Sequence, residues 1–129
     1  MEQRTAPEGI LCAKTHEWVL EENDLCICGL TDYAVEQLGD VVFVELPEIG
    51  SSFSKDEVFA TIESVKAASE IYAPVAGEIV EVNEDLLASP EIVNEDNWEK
   101  GWLVKIKPSN FSEDSASLME YDDYKEEIV

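Results

Sequence analysis

Thr61-Ile62-Glu63-Ser64-Val65-Lys66-Ala67-Ala68-Ser69-Glu70 joins two runs of alternating character, Val58 to Ile62 and Glu70 to Ala73. If Val65 and Lys66 form a two-residue turn, position 62 faces 69, 60 faces 71 and 58 faces 73. Val58, Ala60, Ile62, Ile71 and Ala73 then share an apolar face, while Phe59, Thr61, Glu63, Ala68, Glu70 and Tyr72 collect on the other. The pattern reads as a hairpin with one face in a core and a lysine at its tip. Valine at a tight turn departs from the Asn-Gly or Asp-Gly pairs such turns favour, which leaves a register one residue away open.

Outward from the hairpin the same punctuation recurs. Val41 to Leu46, Gly77 to Val82 and Trp102 to Ile106 are short β-branched runs broken by turn residues, as in a small sandwich or barrel. Val44-Glu45-Leu46-Pro47-Glu48-Ile49 is echoed by Val80-Glu81-Val82-Asn83-Glu84-Asp85, which suggests two similar β halves; chance likeness between two acidic strand ends competes with that reading. Upstream, Glu17 to Leu20 and Leu25 to Leu30 flank the polar Glu21-Glu22-Asn23-Asp24, a second hairpin signal. Thr31 as N-cap, Asp32 in the first turn, Ala34, Val35 and Leu38 at helical spacing and Gly39 as a stop predict one short helix. Ser112 is placed to cap a C-terminal helix over about 113–127, with Leu118, Tyr121, Tyr124, Lys125 and Ile128 at three- and four-residue spacing. The expectation is a single, all-β dominated domain over 1–129, its core at about 11–108, with no flexible linker of the Ala/Pro or Gly/Ser type.

At 129 residues and 45% hydrophobic content the chain can bury one core. Thirty acidic against 8 basic residues leave a formal net charge of −22. Such a surface repels phosphate backbones and anionic lipid, so neither nucleic acid nor membrane is expected as a partner. The acidity serves either solubility alone or the steering of basic partner enzymes. Cys12, Cys26 and Cys28 form no CxxC pair and are odd in number, which argues against a disulfide framework. Cys26 and Cys28 stand two apart on a strand and so point the same way, as small core side chains. With His16 the only histidine, a His/Cys zinc site is poorly supplied and no metal is expected. Arg4 is the only base before Lys14, which does not resemble a targeting peptide. A cytoplasmic protein is expected, or a mitochondrial-matrix one if a transit peptide has been removed.

The chain lacks a Gly-rich phosphate loop, a G-x-S-x-G elbow and a His/Cys nucleophile pair. By default Lys66 at a hairpin tip is a solvated charge. An exposed primary amine is a poor nucleophile by itself, since a catalytic lysine is ordinarily buried. A long stem flanked by the small Ala67 and Ala68 on a rigid turn suits attachment by another enzyme better. A carrier or binding module is favoured over an enzyme, with no catalytic residue assigned.

Thr15-His16-Glu17-Trp18-Val19, Gly29-Leu30-Thr31-Asp32-Tyr33-Ala34, Leu38-Gly39-Asp40-Val41-Val42-Phe43-Val44-Glu45-Leu46-Pro47, Glu63-Ser64-Val65-Lys66-Ala67 and Gly101-Trp102-Leu103 resemble, in order, the motifs of the glycine cleavage H-protein family. The resemblance covers about residues 11–125. It implies a barrel-sandwich hybrid fold with lipoate in amide linkage on Lys66. It further implies a non-catalytic shuttle that carries the aminomethyl group of glycine from the pyridoxal-phosphate-dependent decarboxylase (P-protein) to the aminomethyltransferase (T-protein). Dihydrolipoamide dehydrogenase (L-protein) reoxidises the arm, a lipoyl ligase or transferase installs it, and a small monomer suits such a shuttle. Glu63 and Gly77 match the family's lipoylation-assisting residues; Thr15, Glu17 and Glu70 match a polar cleft that holds the loaded arm. For Glu17 and Glu70 the competing reading is that of exposed strand acids that merely solubilise.

The sequence departs from the family pattern where Asp56 stands for the glycine usual after Lys55, and where Asn94-Glu95-Asp96-Asn97-Trp98-Glu99-Lys100 replaces a proline and glycine before Gly101. A biotin carrier's lysine typically sits between methionines, and the lipoyl domain of a 2-oxo acid dehydrogenase typically has an aspartate before its lysine. Here Val65 and Ala67 flank Lys66. The alternative function is a lipoyl carrier for lipoate relay or another lipoyl-dependent system.

Overall fold

A computed structural model describes residues 6–127. Two short strands open the chain, β1 (Leu11–Cys12) and β2 (Glu17–Glu22), the second turning into β3 (Leu25–Leu30). Asn23 and Asp24 both take positive φ, 52° and 65°, so the turn between them is tighter than the four-residue polar stretch predicts. Two left-handed residues in succession match the twist of an antiparallel pair, and Asn and Asp tolerate that backbone. Helix α1 (Asp32–Leu38) follows with the predicted caps: Thr31 Oγ1 accepts from Ala34 N–H, and Gly39 N–H closes on Val35 O with φ 76°.

After α1 come β4 (Val41–Glu45), β5 (Ser52–Phe53), β6 (Val58–Ser64), β7 (Ala68–Tyr72) and β8 (Gly77–Val82). Two single turns of helix, α2 (Asp85–Ala88) and α3 (Ile92–Glu95), lead to β9 (Val104–Pro108). The chain closes with α4 (Phe111–Ser115), β10 (Met119–Glu120) and α5 (Tyr121–Glu127). A seven-stranded sheet has the order β10-β1-β2-β3-β9-β8-β5, and a three-stranded one the order β4-β6-β7. The core lies between them, with Cys28, Ile79, Val104 and Ile106 of the first sheet packed with Val44, Ile62 and Ile71 of the second. This sheet-dominated architecture, with a short helix after the first hairpin and a helix at the C-terminal end, is the expected fold class. Cys12, Cys26 and Cys28 are free and fully buried. The two echoing segments fall one in each sheet, on β4 and β8.

Two expectations are corrected. In the lysine hairpin 62 pairs with 69 and 60 with 71, as predicted, but Val58 pairs with Tyr72 rather than facing Ala73. A bulge between Val58 and Ala60 turns Phe59 into the core, where its ring meets Phe53 edge-on at 6.2 Å. A large aromatic gains more by burial than the regular ladder loses by one irregularity. The second correction concerns the C-terminal helix over about 113–127, which is two short helices with β10 between them. Asn110, not Ser112, caps α4, accepting from Glu113 N–H. Met119 and Glu120 then pair with Cys12 and Leu11, so backbone groups that a helix would use inside itself are satisfied by β1 instead. Ile128 lies outside the described residues.

Candidate functional site

The tip of the β6–β7 hairpin explains how valine sits in its turn. Neither Val65 nor Lys66 has positive φ. Ser64 does the work of the usual Asn-Gly pair: its hydroxyl accepts from Lys66 N–H and Ala67 N–H, both at 3.2 Å, and its N–H donates to Ala67 O at 2.8 Å. Val65 N–H donates to Asp40 O at 3.0 Å, tying the tip to the loop after α1.

Lys66 is exposed, and its ammonium has no hydrogen-bond or ion-pair partner among the described residues. Its stem lies over Gly39; a Cβ there would stand 3.2 Å from Lys66 Cε, and the positive φ disfavours any other residue as well. Asn94 holds this crossing. Its Nδ2 donates to Gly39 O and its Oδ1 accepts from Val41 N–H, each at 2.8 Å. Sequence reasoning flagged the 94–100 loop only as divergent, because a clasp spanning more than fifty residues leaves no local pattern. In the same loop Asn97 Nδ2 donates to Leu30 O at 2.9 Å.

From Lys66 a cleft of about 210 Å³ runs between α1 and β7. Leu30, Tyr33, Ala34, Leu38 and Ile71 give it apolar walls, and Thr15, His16 and Glu70 a polar end. Thr15 and Glu70 therefore line one cleft with Lys66. Glu17 does not line it. Its side chain is 1% exposed and sits behind the wall, where one carboxylate oxygen accepts from Thr15 Oγ1 and the other from Tyr72 N–H at 3.2 Å. The solubilising reading therefore fails for Glu17, while Glu70 is exposed.

His16 joins the polar end with φ 78°, its ring 4.7 Å from that of Tyr33 and its Nδ1 2.7 Å from Tyr124 Oη. Tyr124 Oη also lies 2.7 Å from Thr31 Oγ1, so α5 pins the cleft lip and the start of α1 together. Burial lowers the His16 pKa and favours the neutral ring.

Glu63 is exposed between Phe43 on β4 and Ala68 on β7. Gly77 lies elsewhere, paired with Phe53 and Pro108 beside a separate open depression that includes Ser52, Glu57 and Lys107. Asp56 takes φ 71°, the left-handed backbone that accounts for aspartate in place of glycine. Among the described residues, no group of three or more His, Cys, Asp or Glu is placed to hold a metal, and no helix is long and apolar enough to cross a membrane.

Burial is the largest influence on the Glu17 carboxyl and pushes it up to about 7, against the opposing hydrogen bonds from Thr15 and Tyr72. The folded chain therefore holds this proton more tightly than the unfolded one, where the group titrates near 4.5. Stability falls as pH rises through that interval, by about 3 kcal/mol in full. Glu17→Gln keeps an acceptor for Tyr72 N–H and can donate to Thr15 Oγ1. It is expected to gain up to about 3 kcal/mol on the wild type between urea unfolding at pH 5 and at pH 8. An identical pH dependence in the two proteins would show that burial does not perturb this carboxyl.

Residues 10–129 match the family model described as Glycine cleavage H-protein. The chain is 49% identical over 124 residues to the glycine cleavage system H protein of Halothermothrix orenii, with 95% of this chain and 97% of that one covered. It is 51% identical over 120 residues to that of Thermus thermophilus, with 93% of each covered. A crystal structure of a glycine cleavage system H protein from Mycobacterium marinum matches with a TM-score of 0.85 at 33% identity, over 95% of this chain and 98% of that one.

Proposed function

The chain belongs to the glycine cleavage H-protein family, and on that premise we propose that it is a lipoyl carrier whose arm is held in amide linkage on Lys66 Nζ. It moves the aminomethyl group of glycine from the pyridoxal-phosphate-dependent decarboxylase to the tetrahydrofolate-dependent aminomethyltransferase, with dihydrolipoamide dehydrogenase restoring the arm. The dithiolane supplies a reducible sulfur pair when bound; the chain itself catalyses nothing. The observation that carries this reading is an unpartnered primary amine at a rigid hairpin tip, at the mouth of a cleft with apolar walls and a polar end. An alkyl arm anchored at Lys66 fits such a cleft, which excludes water from whatever the arm carries.

Leu38, Ala34 and Ile71 offer the arm apolar contact, while Thr15 and Glu70 offer acceptors to an amine at its end. Glu17, from behind, holds the Thr15 hydroxyl in place. A lipoyl ligase or transferase installs the arm, with Glu63 and Gly77 assisting. The carrier works as a monomer in the cytoplasm.

The test is the intact mass of the protein after exposure to a lipoyl ligase with lipoate and ATP, followed by incubation with the decarboxylase and glycine. One lipoyl increment that fragmentation places on Lys66, then glycine-dependent loading, is the expected result. An increment without loading would favour the lipoate-relay role, and no increment would overturn the carrier.

A further inference from the structure

Five large apolar side chains are exposed among the described residues, and three of them, Val42, Phe43 and Val65, lie around the Lys66 tip. Phe43 pairs across β4–β6 with Glu63, Val41 pairs with Ser64, and Val65 N–H reaches Asp40 O. The exposure has a backbone cause. The register shifts between Val41 and Phe43, so Val42 and Phe43 both face solvent while Val41 and Val44 are buried. A bulge re-aims side chains. The one at Phe59 turns an aromatic inward, whereas this one holds an aromatic 48% exposed beside a valine 54% exposed. The fold gains nothing from that arrangement until something covers it.

Acids ring the patch. Asp40, Glu45 and Glu63 are exposed at its edges. Between residues 32 and 70 the only cations are Lys66 itself and Lys55, which is paired with Asp56 at 3.4 Å. An apolar centre with an anionic rim complements an apolar depression edged with Lys or Arg.

Reach decides which enzyme that is. An extended lysine places Nζ about 6 Å from its Cα, given C–C bonds of about 1.5 Å. An enzyme that acylates the bare amine must bring its reacting carbon to that point, so its body covers Val65 and the strands beside it. Enzymes that act at the far end of a loaded arm work from roughly twice that distance and can stand off from the tip. In the acylation step the deprotonated amine attacks the carbonyl carbon of an activated lipoyl group. The activating group leaves with its electron pair, and the amine proton passes to the partner or to solvent.

We propose that Val42, Phe43 and Val65, rimmed by Asp40, Glu45 and Glu63, form the docking face for the enzyme that acylates Lys66. The proposal rests on the lipoyl-carrier reading and assigns its first partner a surface. Its test is the steady-state acylation of the unmodified protein by a lipoyl ligase with lipoate and ATP, comparing wild type, Phe43→Ser and Phe43→Leu. Phe43→Ser is expected to raise KM about 10-fold with kcat unchanged, the effect of losing one apolar anchor. Phe43→Leu recovers most of that, and added salt raises KM for all three proteins. Thermal unfolding of the variants stays at the wild-type value, and the lipoylated Phe43→Ser protein is loaded by the decarboxylase with wild-type KM. An unchanged ligase KM, a defect confined to the decarboxylase, or sedimentation showing that the patch pairs two copies of this chain would each overturn the docking proposal alone. Wild-type protein that takes no lipoyl group overturns the carrier reading and the docking face with it.

Discussion

Lys66→Ala is expected to abolish lipoyl incorporation and reduce glycine-dependent carrier activity to background, while the protein unfolds at the wild-type temperature. The side chain is exposed and makes no polar contact among the described residues, so its loss changes stability by no more than about 0.5 kcal/mol. The turn is built by Ser64 and by the backbone of Val65 to Ala67, which alanine at position 66 leaves intact. No other lysine can substitute, because none shares the hairpin tip and the mouth of the cleft. Lys66→Arg sharpens the result. It keeps the positive charge, but a guanidinium does not form the amide, so activity is lost with charge retained. Mass spectrometry reads incorporation, a glycine decarboxylation assay reads function, and thermal unfolding reads the fold. Activity surviving in Lys66→Ala would sink the carrier reading.

Gly77→Ala is expected to cost stability through the larger sheet. A Cβ at Gly77 would overlap the carbonyl oxygen of Lys107 and stand 2.6 Å from Ile106 Cγ2. The obstacle is largely the backbone of β9, to which β8 is paired from Gly77 opposite Pro108 to Val82 opposite Val104, so no side-chain rotation relieves it. Forcing those strands apart is expected to cost about 2–3 kcal/mol, as overpacking typically does. For a chain of this length that lowers the melting temperature by roughly 10 °C. The family resemblance gives Gly77 a part in lipoylation, and the two roles separate cleanly by temperature. If the glycine serves packing, acylation of Gly77→Ala well below its melting temperature runs near the wild-type rate. If an enzyme reads the glycine itself, acylation is slow even when the variant is fully folded.

The lysine hairpin was legible because alternation is a local property: Ile62 opposite Ser69 and Ala60 opposite Ile71 follow once a two-residue turn is assumed. Thr31 and Gly39 announced α1 for the same reason, since caps act within one turn. The resemblance of spaced motifs supplied the family, which no single segment would carry. Glu17 shows the limit. The family resemblance marked it as a candidate, yet strand periodicity could not tell that Thr15 and Tyr72 would enclose it at 1% exposure.

By itself the sequence determined the hairpins, the capped helix, the tip position of Lys66 and the family, because each rests on neighbouring residues or on ordered motifs. Only the tertiary structure decided that bulges would turn Phe59 inward and Phe43 outward. The same holds for Asn94, which clasps Gly39 beneath the lysine, and for β1, which splits the C-terminal helix by pairing with β10. Contacts with residues distant in the chain decided these features: they buried the Phe59 ring and satisfied the backbone groups of Gly39, Val41, Met119 and Glu120, while the shifted pairing of β4 with β6 left Phe43 facing solvent.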